Sequence, residues 1–163
     1  MWRMEWFWEP GDEGHIYPLE SLMDIYDHSV GHNSTLIMGL TPDPNGLMPE
    51  QDVNRLKEWG DEIREQYGEP YAQTAGEGNT LMLKLDVPTR LDHIVIQEDI
   101  RYGERVREYV IEGYSDKKWT MIADGTCIGQ KRIIDVGDKQ YSKIRLKISK
   151  SIDTPKMKMF AAY

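Results

Sequence analysis

Cysteine is nearly absent: Cys127 is the single one in 163 residues. One thiol excludes an internal disulfide framework and any cysteine-based zinc site, and it leaves the redox compartment open. Long hydrophobic runs are missing as well. The longest, such as Leu36-Ile37-Met38-Gly39-Leu40, fall far short of the roughly 20 residues that cross a bilayer. No basic segment followed by an apolar one opens the chain, so no signal peptide is legible. Basic residues are scarce in one half only. Residues 1–79 hold 4 Lys/Arg against 16 Asp/Glu, whereas residues 80–163 hold 16 against 12. The net charge of −8 argues against a general nucleic-acid binder. The remainder, 39% hydrophobic and 29% charged, is the mix of a folded globular chain rather than a disordered one.

The change of charge between halves predicts two units. The stretch Thr74-Ala75-Gly76-Glu77-Gly78-Asn79 is rich in turn formers and poor in residues that pack, so it reads as a linker between residues 1–73 and 80–163. In the first unit, Met1–Trp8 is crowded with aromatics and reads as a strand, ended by Pro10-Gly11-Asp12-Glu13-Gly14. Pro18 suits the first turn of a helix that carries Leu19, Leu22, Met23, Tyr26 and Val30 at helical spacing, with Gly31 as its C-terminal cap. Asn33–Leu40 fits a short buried strand, and Thr41–Gly46 cannot continue it. Pro49 opens a second helix with Glu50 and Asp52 near its positive end and with Val53, Leu56, Trp59, Gly60 and Ile63 facing inward. The order strand, helix, strand, helix is that of a βαβ unit with parallel strands.

The second unit reads as all-β. Seven short segments stand between turns: Thr80–Leu85, Leu91–Gln97, Arg105–Tyr114, Trp119–Asp124, Ile133–Val136, Lys143–Ile148 and Lys156–Ala161. Ile144, Leu146 and Ile148 alternate cleanly with Lys143, Arg145, Lys147 and Ser149, while Tyr109 falls out of phase with Val106 and Ile111. Strands at spacings near ten residues favour a sandwich or jelly roll. The expected fold is therefore α/β plus all-β, and composition and periodicity give no chemistry beyond it.

Particular residues go further. The blocks Ser29–Met38, Thr41-Pro42-Asp43, Gly46–Glu50 and Asp52–Gly60 resemble family 29 glycoside hydrolases, the retaining α-L-fucosidases. Trp6–Glu13 resembles the aromatic strand end that precedes this block in that family. Leu91–Ile100, Gly103–Val106 and Gly125–Arg132 resemble its C-terminal domain. The resemblance implies the last strand–helix units of a (β/α)8 barrel followed by a jelly-roll or discoidin-like antiparallel β-sandwich that packs against the barrel. It implies a start within the barrel and an end, Met159–Tyr163, at a family terminus. Two positions depart from the family: His32 stands where most members carry arginine, and Gly39 where many carry asparagine.

The same resemblance implies which residues carry chemistry. The nucleophilic aspartate and the acid/base glutamate lie on earlier strands, so no catalytic residue is assigned here. A fragment without them is expected to be inactive, with a non-catalytic carbohydrate-binding or accessory module as the alternative. The expected substrate-binding residues are Trp6, Trp8 and Glu9. Trp6 and Trp8 share one side of a strand at the end where such barrels keep their sites, and a flat ring suits the apolar edge of a deoxy sugar. Glu9 is expected at the rim of the leaving-group site. Glu9, Asp12 and Glu13 could supply a carboxyl group to a retaining pair about 5 Å apart, but a solvated acidic loop is the preferred reading. No cofactor is implied. His28 and His32 have no evident third ligand, so no metal site is assigned. Asn33-Ser34-Thr35 is a glycosylation sequon at the start of a buried strand, where use is not expected. Lys131, Arg132, Arg145 and Lys147 read as outer-face charges in preference to an acidic-sugar site, and Trp119 reads as core in preference to stacking with Tyr114 on a sugar. The partner is a fucosylated glycan, without nucleic acid or a membrane span. The resemblance suggests a periplasmic, secreted or lysosomal parent.

Overall fold

The computed structural model describes residues 7–12 and 14–163. The chain divides into two compact units. One holds residues 1–29 and 35–68, and the other holds Val30–Ser34 and Glu69–Tyr163. Trp6 and Glu13 lie outside the described residues, as does most of the expected strand at Met1–Trp8. Phe7 and Trp8 belong to no strand.

In the first unit, helix α1 spans Leu19–Ser29 and buries Leu22 and Met23. Helix α2 spans Glu50–Tyr67. Tyr26 of α1 meets Trp59 edge-on at 6.4 Å and stacks on Tyr67 at 5.9 Å, while the Tyr67 hydroxyl donates to Asp27 at 2.8 Å. The inward face of α2 differs from the expected one. Val53 is 44% exposed, and the one fully buried residue of the helix is Asp52. At about 100° per residue, Asp52 lies near the centre of the stripe Leu56–Trp59–Ile63, whereas Val53 falls about 80° to one side. Asp52 also sits in the first turn, where the helix dipole favours an acid.

The segment expected as a buried strand forms no ladder. Leu36, Met38 and Leu40 are half-buried, and Ile37 between them is 87% exposed. The alternation of an extended chain is there, but among the described residues no neighbouring strand meets its backbone groups, and a lone strand cannot satisfy them. Among the described residues the expected βαβ pairing is accordingly not seen, and every described strand pair is antiparallel. After α1 the left-handed residue is Asn33, with φ 65°, rather than Gly31.

The second unit has eight strands: β1 Ala72–Glu77, β2 Thr80–Arg90, β3 His93–Glu98, β4 Val106–Ser115, β5 Lys118–Gly125, β6 Arg132–Asp135, β7 Gln140–Ser151 and β8 Lys156–Ala162. They form two four-stranded sheets, in the orders β1-β8-β3-β6 and β2-β7-β4-β5. All seven expected segments appear. The expected linker at 74–79 does not. Thr74–Glu77 belongs to β1, an edge strand that pairs with β8, and the compact units divide at Gly68/Glu69 instead.

Both sheets contribute to one hydrophobic core, including Leu83, Ile94, Ile96, Ile111, Ile144, Leu146 and Phe160. The phase slip at Tyr109 has a structural cause. Register shifts between Val106 and Tyr109, against β7, mark a bulge that lets both side chains turn inward. Gly113 provides room for the inward ring of Tyr141, since a Cβ there would lie 2.3 Å from it.

Candidate functional site

The three motif blocks of the second unit converge on one buried acid. Glu98, 2% exposed, ends β3 on the inward register of Ile94 and Ile96. Its Oε1 accepts from the backbone N–H groups of Arg105 at 2.7 Å and Val106 at 3.0 Å, and its Oε2 from that of Gly129 at 2.9 Å. A buried carboxylate is tolerated because three donors replace its water. Glu98 thus ties the end of β3 to the entry of β4 and to the loop before β6. Asn33 makes a second tie to that loop. Its backbone N–H donates to the Lys131 carbonyl, its Oδ1 accepts from the Gln130 N–H at 2.6 Å, and its Nδ2 donates to Glu104. Gly129 must be glycine here: its φ is 64°, and a Cβ would lie 2.2 Å from the Asn33 amide. The sequon asparagine is therefore occupied at both amide atoms, which is a different obstacle from the expected strand. Sequence reasoning missed Glu98 and Asn33 as organising residues. The signal for Glu98 was an acid at an inward position of a period-2 run.

The expected substrate-binding residues stand at the start of the chain. Trp8 is half-buried and Glu9 is exposed, adjacent in an irregular segment. The Glu9 carbonyl accepts from the Asp12 N–H at 3.3 Å across a turn in which Gly11 has φ 89°. Asp12 is paired with the imidazole of His15, and the His15 backbone N–H donates to the Asp12 carbonyl at 3.1 Å. This carboxylate holds a turn together. His28 faces Asp24 within α1 at 3.0 Å, and His32 forms an isolated bridge with Arg132, so the two histidines are not brought together. Among the described residues no three His, Cys, Asp or Glu side chains could hold a metal ion.

Lys131, Arg132, Arg145 and Lys147 are divided between the two sheets of the second unit. Arg132 lies in β6 of one, preceded by Lys131, while Arg145 and Lys147 lie on β7 of the other. Burial raises the pKa of the Tyr109 phenol, and Arg132 beside it acts in the opposite direction. On the outer face of the second sheet, Arg145 donates to Glu112 at 2.6 Å and Lys147 lies 3.5 Å from the same carboxylate. The Arg145 hydrogen bond holds the Glu112 carboxyl below the usual range. Trp119 corrects its expected place in the core. It is half-buried, with the Arg145 guanidinium 4.0 Å above its ring and Tyr114 at 5.2 Å. It sits opposite Tyr114 in the register, on the outward side of β5. Beside this pair, at the β4–β5 hairpin, lies a cleft of about 620 Å³ lined by Tyr114, Asp116, Lys117, Lys118, Lys139 and Gln140 among others.

This combination of two helices and antiparallel sheets matches part of the architecture of solved α-L-fucosidases, and the chain is a homologue of those proteins. It is 47% identical to the "putative alpha-L-fucosidase" of Bacteroides thetaiotaomicron, with a TM-score of 0.95 over 99% of this chain and 37% of that one. A glycoside hydrolase 29 family member from an unknown rumen bacterium is 29% identical, with a TM-score of 0.83 over 97% of this chain and 30% of that one. Alpha-L-fucosidase 1 of Arabidopsis thaliana is 24% identical over 168 residues, 81% of this chain and 33% of that protein. The chain spans little more than a third of the curated relatives it matches. No family model matches it.

Proposed function

We propose that the chain is the C-terminal part of a retaining exo-α-L-fucosidase that removes terminal α-L-fucosyl groups from glycans. In this reading the first unit is the end of a (β/α)8 barrel and the second is a jelly-roll or discoidin-like β-sandwich. The observation that supports it most is the 47% identity across 99% of the chain to a protein of which this chain is 37%. Ile37, exposed in an alternating extended segment without a ladder, agrees with a barrel strand whose neighbours come from elsewhere.

In the retaining reaction a carboxylate attacks the anomeric carbon as the aglycone oxygen takes a proton from the acid. That residue then deprotonates the water that releases fucose. Both groups belong to earlier strands in this proposal, so this chain's contribution is a sugar wall from Trp6 and Trp8 and a rim carboxylate from Glu9. The described residues alone are then inactive.

The test is hydrolysis of an aryl α-L-fucoside by this chain and by a longer parent that supplies the preceding barrel strands. No turnover by the chain and turnover by the parent, with a raised KM in parent Trp8→Ala, is the expected result. Turnover by the pure chain, or an inactive parent, overturns it. An inactive parent that still bound glycans would favour an accessory module, a second reading to which the cleft beside Tyr114 lends support.

A further inference from the structure

The hairpin between β4 and β5 is built against local preference. Asp116 and Lys117 form its two-residue turn with φ 49° and 62°, and Ser115 pairs with Lys118 across it. Such a turn is the natural place for Asn-Gly or Asp-Gly, because both central residues are left-handed. A lysine at the second position accepts a strained backbone where glycine would not. A second violation lies close by in the sheet. Lys84 of β2 and Lys143 of β7 are directly opposite each other, both exposed, and like charges so placed destabilise a strand pair. Breaches of local rules that persist together mark places where function competes with stability.

The strained hairpin lines the cleft described above, and Lys143 approaches it through Tyr114. Lys117, Lys118 and Lys139 line it, against one acid, Asp116. Lys143 lies 5.4 Å from the Tyr114 ring, and Tyr114 lines the cleft too. Lys84, Lys117, Lys118 and Lys139 form no ion pair among the described residues. On a chain of net charge −8, this end of the second unit is cationic and carries an aromatic pair.

We propose that the cleft at the β4–β5 hairpin, with Tyr114 and the lysines around it, binds a sulfated glycan. Half-buried Tyr114, which lines the cleft, offers ring surface to a sugar, and the lysines meet the sulfate esters. The cations support sulfate over uronate. A planar carboxylate is best met by the bidentate fork of arginine, and Arg145 is already held by Glu112 and Trp119. The unpaired cations are lysines, compact point charges that suit a tetrahedral anion. This proposal does not depend on the preceding one.

The experiment measures binding of the full 163-residue chain to dextran sulfate, with unsulfated dextran, polygalacturonate and single-stranded DNA as competitors. Dextran sulfate is expected to bind and the other three to compete poorly. Lys118→Glu should weaken binding about fivefold or more, whereas Lys158→Glu, an equal charge change on the other sheet, should not. Lys117→Gly is the discriminating variant: it should melt at the same or a higher temperature and yet bind less. Polygalacturonate or DNA binding as tightly as dextran sulfate overturns the proposal. So does equal weakening by Lys158→Glu, or Lys117→Gly that binds as wild type.

Discussion

The two units bury different things. The second closes both its sheets over a continuous core in which residues such as Ile94, Ile111, Ile144, Leu146 and Phe160 are wholly inaccessible. Among the described residues of the first, the buried hydrophobic side chains are Leu22 and Met23, joined by an acid, Asp52, while Phe7, Ile37, Leu47 and Val53 are exposed. Secondary structure is not what separates them, since α2 is the longest element of the chain. The difference lies in closure. Two antiparallel sheets can cover each other's apolar faces, but two helices and an unladdered extended segment leave theirs partly uncovered.

The largest expected effect follows from cutting the units apart. Residues 69–163 should unfold cooperatively as a monomer, and residues 1–68 should not. Calorimetry and sedimentation of the two pieces check this, and a monomeric, cooperatively melting 1–68 piece would erase the contrast. Starting the second piece at residue 80 should weaken it, because β1 and its ladder to β8 are lost.

Within the second unit, Glu98→Ala should cost about 3 kcal/mol, because three backbone donors lose their acceptor away from water. Urea unfolding of the full chain measures it, and a loss near zero would remove Glu98 as the tie among the three segments. Gly113→Ala should cost about 1–3 kcal/mol, since the added methyl has to displace the Tyr141 ring. In the first unit the corresponding change is small. Val53→Gln should stay within about 0.5 kcal/mol, as for other exposed positions. A large loss at Val53 would restore it to the inward face.

The smallest effect concerns pH. Glu112 has a depressed pKa in the fold, mainly through Arg145, so its contribution is complete above the ordinary glutamate value of 4.5. It falls away as pH drops below that value through the folded pKa. Glu112→Gln should flatten this part of the acid unfolding curve. An unchanged acid limb would show that the Arg145 bond contributes nothing to the fold.

Legibility in the sequence tracks the same contrast. The β7 alternation was plain because its inward and outward residues differ completely in polarity. β1 was hidden because Gln73, Thr74, Ala75 and Gly76 carry no pattern of their own, and their strand character is imposed by β8. Residues 35–40 were legible as extended, but a ladder requires a neighbour that periodicity cannot supply. The face of α2 was read from Val53 when the centre of the stripe pointed to Asp52. Trp8 and Glu9 are proposed from resemblance alone, and Trp119 is misplaced by sequence because an aromatic at a strand start looks the same whether it faces the core or a guanidinium. The hairpin lysines are not legible in the sequence, since their strain is a property of φ and not of composition.

Val30–Ser34 belongs to the second unit although residues on either side belong to the first, so the chain passes from one unit to the other three times. A domain attached by a single crossing can be moved between genes as a cassette. This one cannot be lifted out intact by any single break. A recombination at Gly68 would carry Gly129 and Gln130 into a new protein and leave Asn33 behind, exposing a loop shaped around an absent amide. Inheritance of the two units as a block is the consequence, and a lineage that exchanged one of them would have to replace the five-residue insert at the same time.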